Sequence, residues 1–148
     1  MTPHIAITRT WSDNDVAELA FQVCDGTSTF VNEAYVPLDW GAASASALGA
    51  FGQQIHGGLF DPQAGEEGPE YASGYIRARF HWYRPNQLLI STWQQEAHFP
   101  YKDSKVAAEA KLFLKTEPAL LDRFVASLPS LDAKGDGHAT LECIPLPK

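Results

Sequence analysis

The sequence predicts an α+β fold: an antiparallel sheet of five or six strands with two helices packed on one face. Apolar and polar residues alternate through residues 16–36 and 71–115, which is the period of strands with one buried face. Helix-like segments follow blocks of strands, so the strand–helix–strand alternation of a parallel sheet is missing. At 148 residues, the chain is predicted to form one domain covering residues 1–148.

The first strands include a predicted β-hairpin. His4–Arg9 alternates weakly and is predicted as a short strand, whereas Val16–Cys24 alternates clearly. Asp25-Gly26 supplies the positive φ that a tight turn needs, and Thr27–Val36 follows as the second strand of the hairpin. Pro37 ends that strand, because proline cannot donate a hydrogen bond to a ladder.

The first helix is predicted at Ser44–His56, where Leu48, Phe51 and Ile55 recur at the spacing of a buried helical stripe. Ser44 or Ser46 can cap its start. The pair Gly57-Gly58 ends it.

An acidic loop is predicted at residues 57–70, which are rich in glycine and proline and contain no Lys or Arg. A loop of this length is more often functional or disordered than a plain connector. Its acids are Asp61, Glu66, Glu67 and Glu70.

The clearest strand is predicted at Tyr71–Arg84, with Pro85-Asn86 as a turn and Gln87–Ala97 as the partner strand. A two-residue turn would place Arg79 opposite Thr92 and, further along, Trp82 opposite Leu89. The same register sets Arg77 against Gln94, Tyr75 against Glu96 and Ala78 against Trp93. One face of the first strand is apolar, and the other presents Tyr75, Arg77, Arg79, His81 and Tyr83.

The C-terminal third continues the meander. Phe99–Asp103 is predicted as a turn and Lys105–Lys115 as a third strand. Thr116 is predicted to cap a second helix with Pro118 in its first turn. Residues 131–148 are left with two alternatives, a loosely packed tail or an edge strand near Ala139–Ile144.

Composition limits the classes of partner. The formal net charge is -7, which predicts no nucleic-acid binding, since phosphate contacts need clustered Lys and Arg. An acidic surface repels anionic lipid and attracts basic proteins. Cys24 and Cys143 form no metal or redox motif. No signal peptide or membrane-spanning run is recognisable, so a cytoplasmic location is expected.

Catalytic motifs are missing from the sequence, and the chain is predicted not to be an enzyme. The five histidines lack the i, i+3 or i+4 spacing of a zinc site, and neither a nucleophile elbow nor a phosphate-binding loop occurs. No cofactor and no metal are therefore expected.

Two surfaces are predicted to bind a protein partner. The first is the acidic loop, with Asp61, Glu66, Glu67 and Glu70, which is suited to a basic cleft. The second is the exposed stripe of Tyr75, Arg77, Arg79 and Tyr83, because Tyr and Arg are enriched among binding hot spots.

In element order, size and acidity, the chain resembles the small immunity proteins of bacterial toxin–immunity systems, including those of contact-dependent growth inhibition. The resemblance covers architecture and composition, without a diagnostic motif. It implies a cytosolic inhibitor that occludes the active site of a cognate toxin domain, often a basic nuclease.

Two alternatives remain open. A small-ligand-binding protein or enzyme would have a deep, enclosed pocket between the sheet and the helices that holds His81 or another titratable residue. A structural subunit would show an apolar, self-complementary patch.

Overall fold

The computed structural model describes residues 2–53, 57–66, 73–97, 99–101, 104–132 and 136–146. It confirms an α+β fold with two helices packed against antiparallel strands. The strands divide between two sheets of four and five strands, here called sheet A and sheet B, instead of forming one sheet.

Sheet A has the strand order β11-β1-β2-β3. The predicted hairpin is confirmed, because β2 and β3 pair around a turn in which Gly26 has a φ of 98°. Asp25 Oδ1 closes that turn by accepting hydrogen bonds from the backbone N–H groups of Thr27 (2.8 Å) and Ser28 (2.7 Å). The strands are β1 (His4–Ser12), β2 (Val16–Cys24), β3 (Thr29–Pro37) and β11 (His138–Glu142).

Sheet B has the order β10-β7-β6-β4, and β5 also pairs with β6. The prediction of a loop at residues 57–70 was wrong for residues 57–60 and 63–66, which form two short strands along β6. Their backbone groups are satisfied by that pairing, a tertiary contact that glycine and proline content does not reveal. The strands are β4 (Gly57–Phe60), β5 (Gln63–Glu66), β6 (Ser73–Arg84), β7 (Gln87–Ala97) and β10 (Glu109–Thr116).

The predicted register between β6 and β7 was wrong by one residue. The two-residue turn at Pro85-Asn86 is present, but Tyr83 is an extra, unpaired residue in β6. Arg79 therefore pairs with Ser91 instead of Thr92. A one-residue slip moves every side chain of the partner strand to the other face of the sheet.

The predicted third strand is interrupted, and residues 99–101 of the turn predicted at 99–103 form a strand, while residues 102 and 103 lie outside the described residues. β8 (Phe99–Tyr101) and β9 (Ser104–Val106) form a separate two-stranded ribbon. The long strand begins only at Glu109, and its backbone pairs with β7.

Helix α1 (Trp40–Gly52) begins four residues before the predicted start. Its first turn is capped from a distance by Asp132, whose carboxylate accepts hydrogen bonds from the N–H groups of Gly41 (2.8 Å) and Ala42 (3.0 Å). Capping by a residue 91 positions away leaves no local signal. The predicted end of this helix lies outside the described residues.

Helix α2 (Pro118–Ser127) agrees closely with its prediction, although Glu117 and not Thr116 precedes it. Thr116 is buried at the end of β10, and its hydroxyl donates to the carbonyl oxygen of Glu142 (2.8 Å). A 3₁₀ turn (Leu128–Leu131) follows α2. The chain then returns as the edge strand β11, paired with β1.

The two sheets meet where β3 crosses the start of β6. A Cβ atom on Gly74 would lie 1.7 Å from the carbonyl oxygen of Glu33, and Gly74 has a φ of +98°. Only glycine allows both that conformation and that approach. The core lies between the sheets and the two helices and includes Ile5, Phe21, Leu48, Phe80 and Leu128.

Candidate functional site

Asp61, one of the four acids of the predicted loop, has a counter-charge, whereas the sequence showed no Lys or Arg within that loop. Asp61 accepts a hydrogen bond at Oδ1 from Arg77 Nε (2.8 Å) and pairs at Oδ2 with Arg77 Nη2. Arg79 Nε lies 3.7 Å from the same carboxylate. The hydrogen bond from Arg77 lowers the pKa of Asp61 below its usual value.

Of the three other acids of that segment, only Glu66 lies among the described residues. Glu66 is the last residue of β5. Glu67 and Glu70 lie outside the described residues.

The predicted exposed stripe was wrong for Tyr75, which is only 2% exposed. Its hydroxyl donates to Gln63 Oε1 (2.9 Å), and its ring lies edge-on to Trp93 with centroids 5.3 Å apart. The register slip explains this burial, because it turns Trp93 towards the outer face of sheet B. Arg79 and Tyr83 are exposed and Arg77 is half-buried, so the stripe is shorter than predicted.

The same slip removes Thr92 and Gln94 from the outer face, where the sequence had placed them beside the stripe. Both are buried between the sheets. Gln94 Nε2 donates to the carbonyl oxygen of Phe21 (2.9 Å) and to Asn32 Oδ1 (2.9 Å). Gln94 therefore ties the two sheets together, Thr92 donates to the carbonyl oxygen of Leu112 within sheet B, and both are inaccessible to a partner.

A different surface combines charge with exposed aromatic rings on the outer face of sheet A. Backbone pairing aligns Trp11, Glu18 and Tyr35 in one row across β1, β2 and β3. The rings of Trp11 and Tyr35 are 48% and 52% exposed and meet edge-on, with centroids 6.3 Å apart. We call this surface the acidic–aromatic face; it comprises Trp11, Glu18, Val31, Glu33, Tyr35 and Glu96.

A β-bulge positions Trp11 in that row. The register of β1 shifts between Arg9 and Trp11, so Trp11 and not Thr10 pairs with Glu18. Thr10 instead donates its hydroxyl hydrogen to Glu18 Oε1 (2.9 Å). Bulges of this kind redirect a side chain at the end of a strand.

The acids of this face repel one another. A hydrogen bond between the carboxyl groups of Glu18 and Glu33, followed by desolvation, raises the pKa of Glu33. The negative charge of Glu18 raises the pKa of Tyr35. The raised pKa of Glu33 means that a second negative charge beside Glu18 is unfavourable. A positive charge placed next to this pair is therefore favourable.

The face is concave where the sheets meet. Glu96, at the end of β7, approaches β3 and closes a depression of about 370 Å³. No Lys or Arg is among the described residues that line it, which are Glu18, Val31, Asn32, Glu33, Tyr35, Glu96 and Ala97.

Sequence reasoning missed this face, although part of its signal was present. Glu33 and Tyr35 alternate with buried residues in the predicted hairpin, and Glu18 lies on the outer face of its first strand. Trp11 and Glu96 could not be added from the sequence, because a bulge and the approach of sheet B bring them there.

An apolar cavity of about 60 Å³ lies between α1, the inner face of sheet A and the β4–β6 region. It lies between sheet and helices, where a small-ligand protein would have its pocket, but it is well below the roughly 300 Å³ of sites for whole drug-sized ligands. Among the described residues, no titratable side chain lines it. The cavity therefore offers no acid or base for catalysis.

In the described parts of the chain, no side chains are arranged as a metal site or as a reactive thiol site. No group of three His, Cys, Asp or Glu residues there is placed to hold a metal ion. Cys24 and Cys143 are both buried and free, and burial raises the pKa of Cys143 to about 12. Their strands flank β1 on opposite sides, about 9–10 Å apart at ordinary strand spacing, which is too far for a disulfide.

Within the described residues, neither helix has the length and apolar character needed to cross a bilayer. Comparison with protein-family models, with curated proteins and with solved structures gives no match to this chain.

Proposed function

We propose that this protein acts by binding a basic protein through its acidic–aromatic face. The observation that carries the proposal is the row Trp11–Glu18–Tyr35, in which two exposed rings flank a carboxylate. Aromatic anchors beside charge are typical of interface centres, where they bury large areas at low entropic cost.

The apolar part of the face favours a protein partner over a small ion. Val31 is 47% exposed on the same face and lines the same depression as Tyr35. Exposed apolar side chains on one face are surface that association would remove from water. Burying the two rings would supply most of the binding free energy.

The charged part of the face favours a basic partner. Glu18 and Glu33 share a hydrogen bond at the cost of mutual repulsion, which an incoming Lys or Arg would relieve. Charges at the edge of such a face act mainly through the association rate. The partner should therefore bind faster at low ionic strength.

The resemblance to immunity proteins suggests which basic protein this is. We propose a cognate toxin domain of nuclease type, encountered in the cytoplasm and neutralised by occlusion of its phosphate-binding active site. The acidic–aromatic face replaces Asp61 as the main contact, since Arg77 already neutralises that carboxylate.

The decisive experiment co-expresses the tagged protein with the untagged product of the neighbouring gene and follows co-purification. Trp11→Ala should weaken binding about 30-fold or more, as expected of a hot spot worth about 2 kcal/mol. Glu18→Gln with Glu33→Gln should lower the association rate at low salt and change it little at high salt.

A matched control is Glu117→Gln with Asp122→Gln, which makes the same change in net charge at two exposed acids of the α2 region. Equal slowing in both double variants would mean that only net charge matters. Unchanged binding by Trp11→Ala would disprove a role for the face.

A further inference from the structure

We propose that the cavity beside α1 binds the apolar end of a small neutral molecule, at a site separate from the acidic–aromatic face. The cavity is enclosed by both sheets and both helices. Its lining is Ile5, Ile7, Phe21, Trp40, Ser44, Leu48, Phe60, Pro62, Gln63, Ala64, Ile76, Ala78, Phe80, Phe124 and Leu128.

The volume of the cavity limits the ligand. About 60 Å³ corresponds to about two water molecules at about 30 Å³ each in the liquid. Sites for whole drug-sized ligands need roughly 300 Å³ or more. The cavity thus accepts a tail of about two or three carbon atoms, and the remainder of the ligand stays at the mouth.

The lining limits the polarity of the tail. All but two of the lining side chains are apolar, so water inside has too few partners and an apolar group is preferred. An ionised group has no counter-charge among the described residues of the lining, and its desolvation would oppose binding.

The mouth lies between α1 and the connection from β4 to β5. Trp40, Ser44, Phe60 and Pro62 line the cavity and are half-buried, and Gln63 is exposed, whereas the deeper lining residues are mostly buried. Ser44 and Gln63 are the polar residues at this rim, but almost all of the surface that the lining presents to the cavity is apolar, and Gln63 Oε1 accepts a hydrogen bond from Tyr75. Neither residue is charged, so the rim offers no counter-charge and suits an uncharged head group that stays in water.

The test titrates the full-length protein with linear primary alcohols from ethanol to hexanol and follows methyl NMR signals of Ile5, Ile7 and Leu48. Site binding should saturate, and affinity should rise about fourfold per added CH₂, equivalent to about 0.8 kcal/mol. The rise should stop near propanol or butanol, where the tail fills the cavity. Affinity that climbs through hexanol, or cavity methyl signals that do not respond, would overturn the proposal.

Variants separate the cavity from the rest of the surface. Ala78→Leu places three further carbon atoms on a residue that lines the cavity, and it should reduce butanol binding at least tenfold. Ala126→Leu makes the same change at an exposed position of α2 and should leave binding unchanged. If Ala78→Leu does not fold, Ala64→Val adds two carbon atoms at another lining residue, and the same loss of butanol binding is the expected result. Binding unaffected by a folded Ala78→Leu variant would place the alcohols elsewhere and refute the assignment.

Discussion

Gln94 and Asn32 join the two sheets by a buried hydrogen bond of 2.9 Å from Gln94 Nε2 to Asn32 Oδ1. Both side chains are almost completely buried. Gln94 also donates to the carbonyl oxygens of Phe21 and Phe30, at 2.9 Å and 3.2 Å. One amide therefore fixes the position of the β2–β3 hairpin over sheet B.

Gln94→Ala should lower the free energy of unfolding by about 2–4 kcal/mol, because it leaves Asn32 Oδ1 without this donor and opens a cavity. Urea denaturation measures the loss. The double variant Gln94→Leu with Asn32→Val removes both partners and should cost less than the sum of the two single changes. Strict additivity would show that the two side chains are not coupled.

Gly74→Ala should destabilise the protein by about 3 kcal/mol or more, since its Cβ would collide with the Glu33 carbonyl oxygen, 1.7 Å away. Gly137→Ala is the control. Gly137 also has a positive φ, but a Cβ atom there would lie 3.4 Å from its nearest neighbour, Nη2 of the Arg9 side chain. Conformational strain alone should cost that variant about 1–2 kcal/mol. Equal thermal shifts for the two variants would argue against a close crossing of β3 over β6.

Asp61 should contribute to stability above its unfolded pKa, near 3.8, because Arg77 lowers the pKa of the folded carboxyl. That contribution is lost as pH falls through the lower, folded pKa. Since both side chains are partly exposed, Asp61→Asn should cost only up to about 1 kcal/mol at pH 7. Asp61→Asn should also make the free energy of unfolding depend less on pH in the acid limb of the stability profile. Asp122→Asn, at an exposed helix position, should leave that limb unchanged.

Tyr35 should ionise above its ordinary pKa of 10, because the charge of Glu18 opposes a second negative charge beside it. The ionisation is read from the ultraviolet difference between the protein and its Tyr35→Phe variant as pH rises. Glu18→Gln should move the transition to lower pH. An unshifted transition would mean that the two groups do not interact across β2 and β3.

Strand and helix identity was largely predictable from the sequence, because it depends on local period and turn chemistry. The hairpin at residues 16–36, the strands on either side of Pro85-Asn86 and the helix after Thr116 were all recognised in this way. The candidate site was not predictable from the sequence, because its residues come from four separate strands and no local pattern links them.

The sequence by itself determined most of the longer strands and both helices and that acids outnumber bases, since period, turn residues and composition are local or additive properties. It did not predict the short strands β4 and β5, because they depend on pairing with β6. Only the tertiary structure decided which side chains face outward together. Tyr83 in β6 and the bulge before Trp11 each add one residue to a strand. Each extra residue shifts the pairing by one position and exchanges the faces of the strand. Long-range contacts then bring Arg77 to Asp61 and place Glu96 in the same depression as Glu33, so Asp61 is paired and an acidic surface that the sequence did not predict lies on the outer face of sheet A.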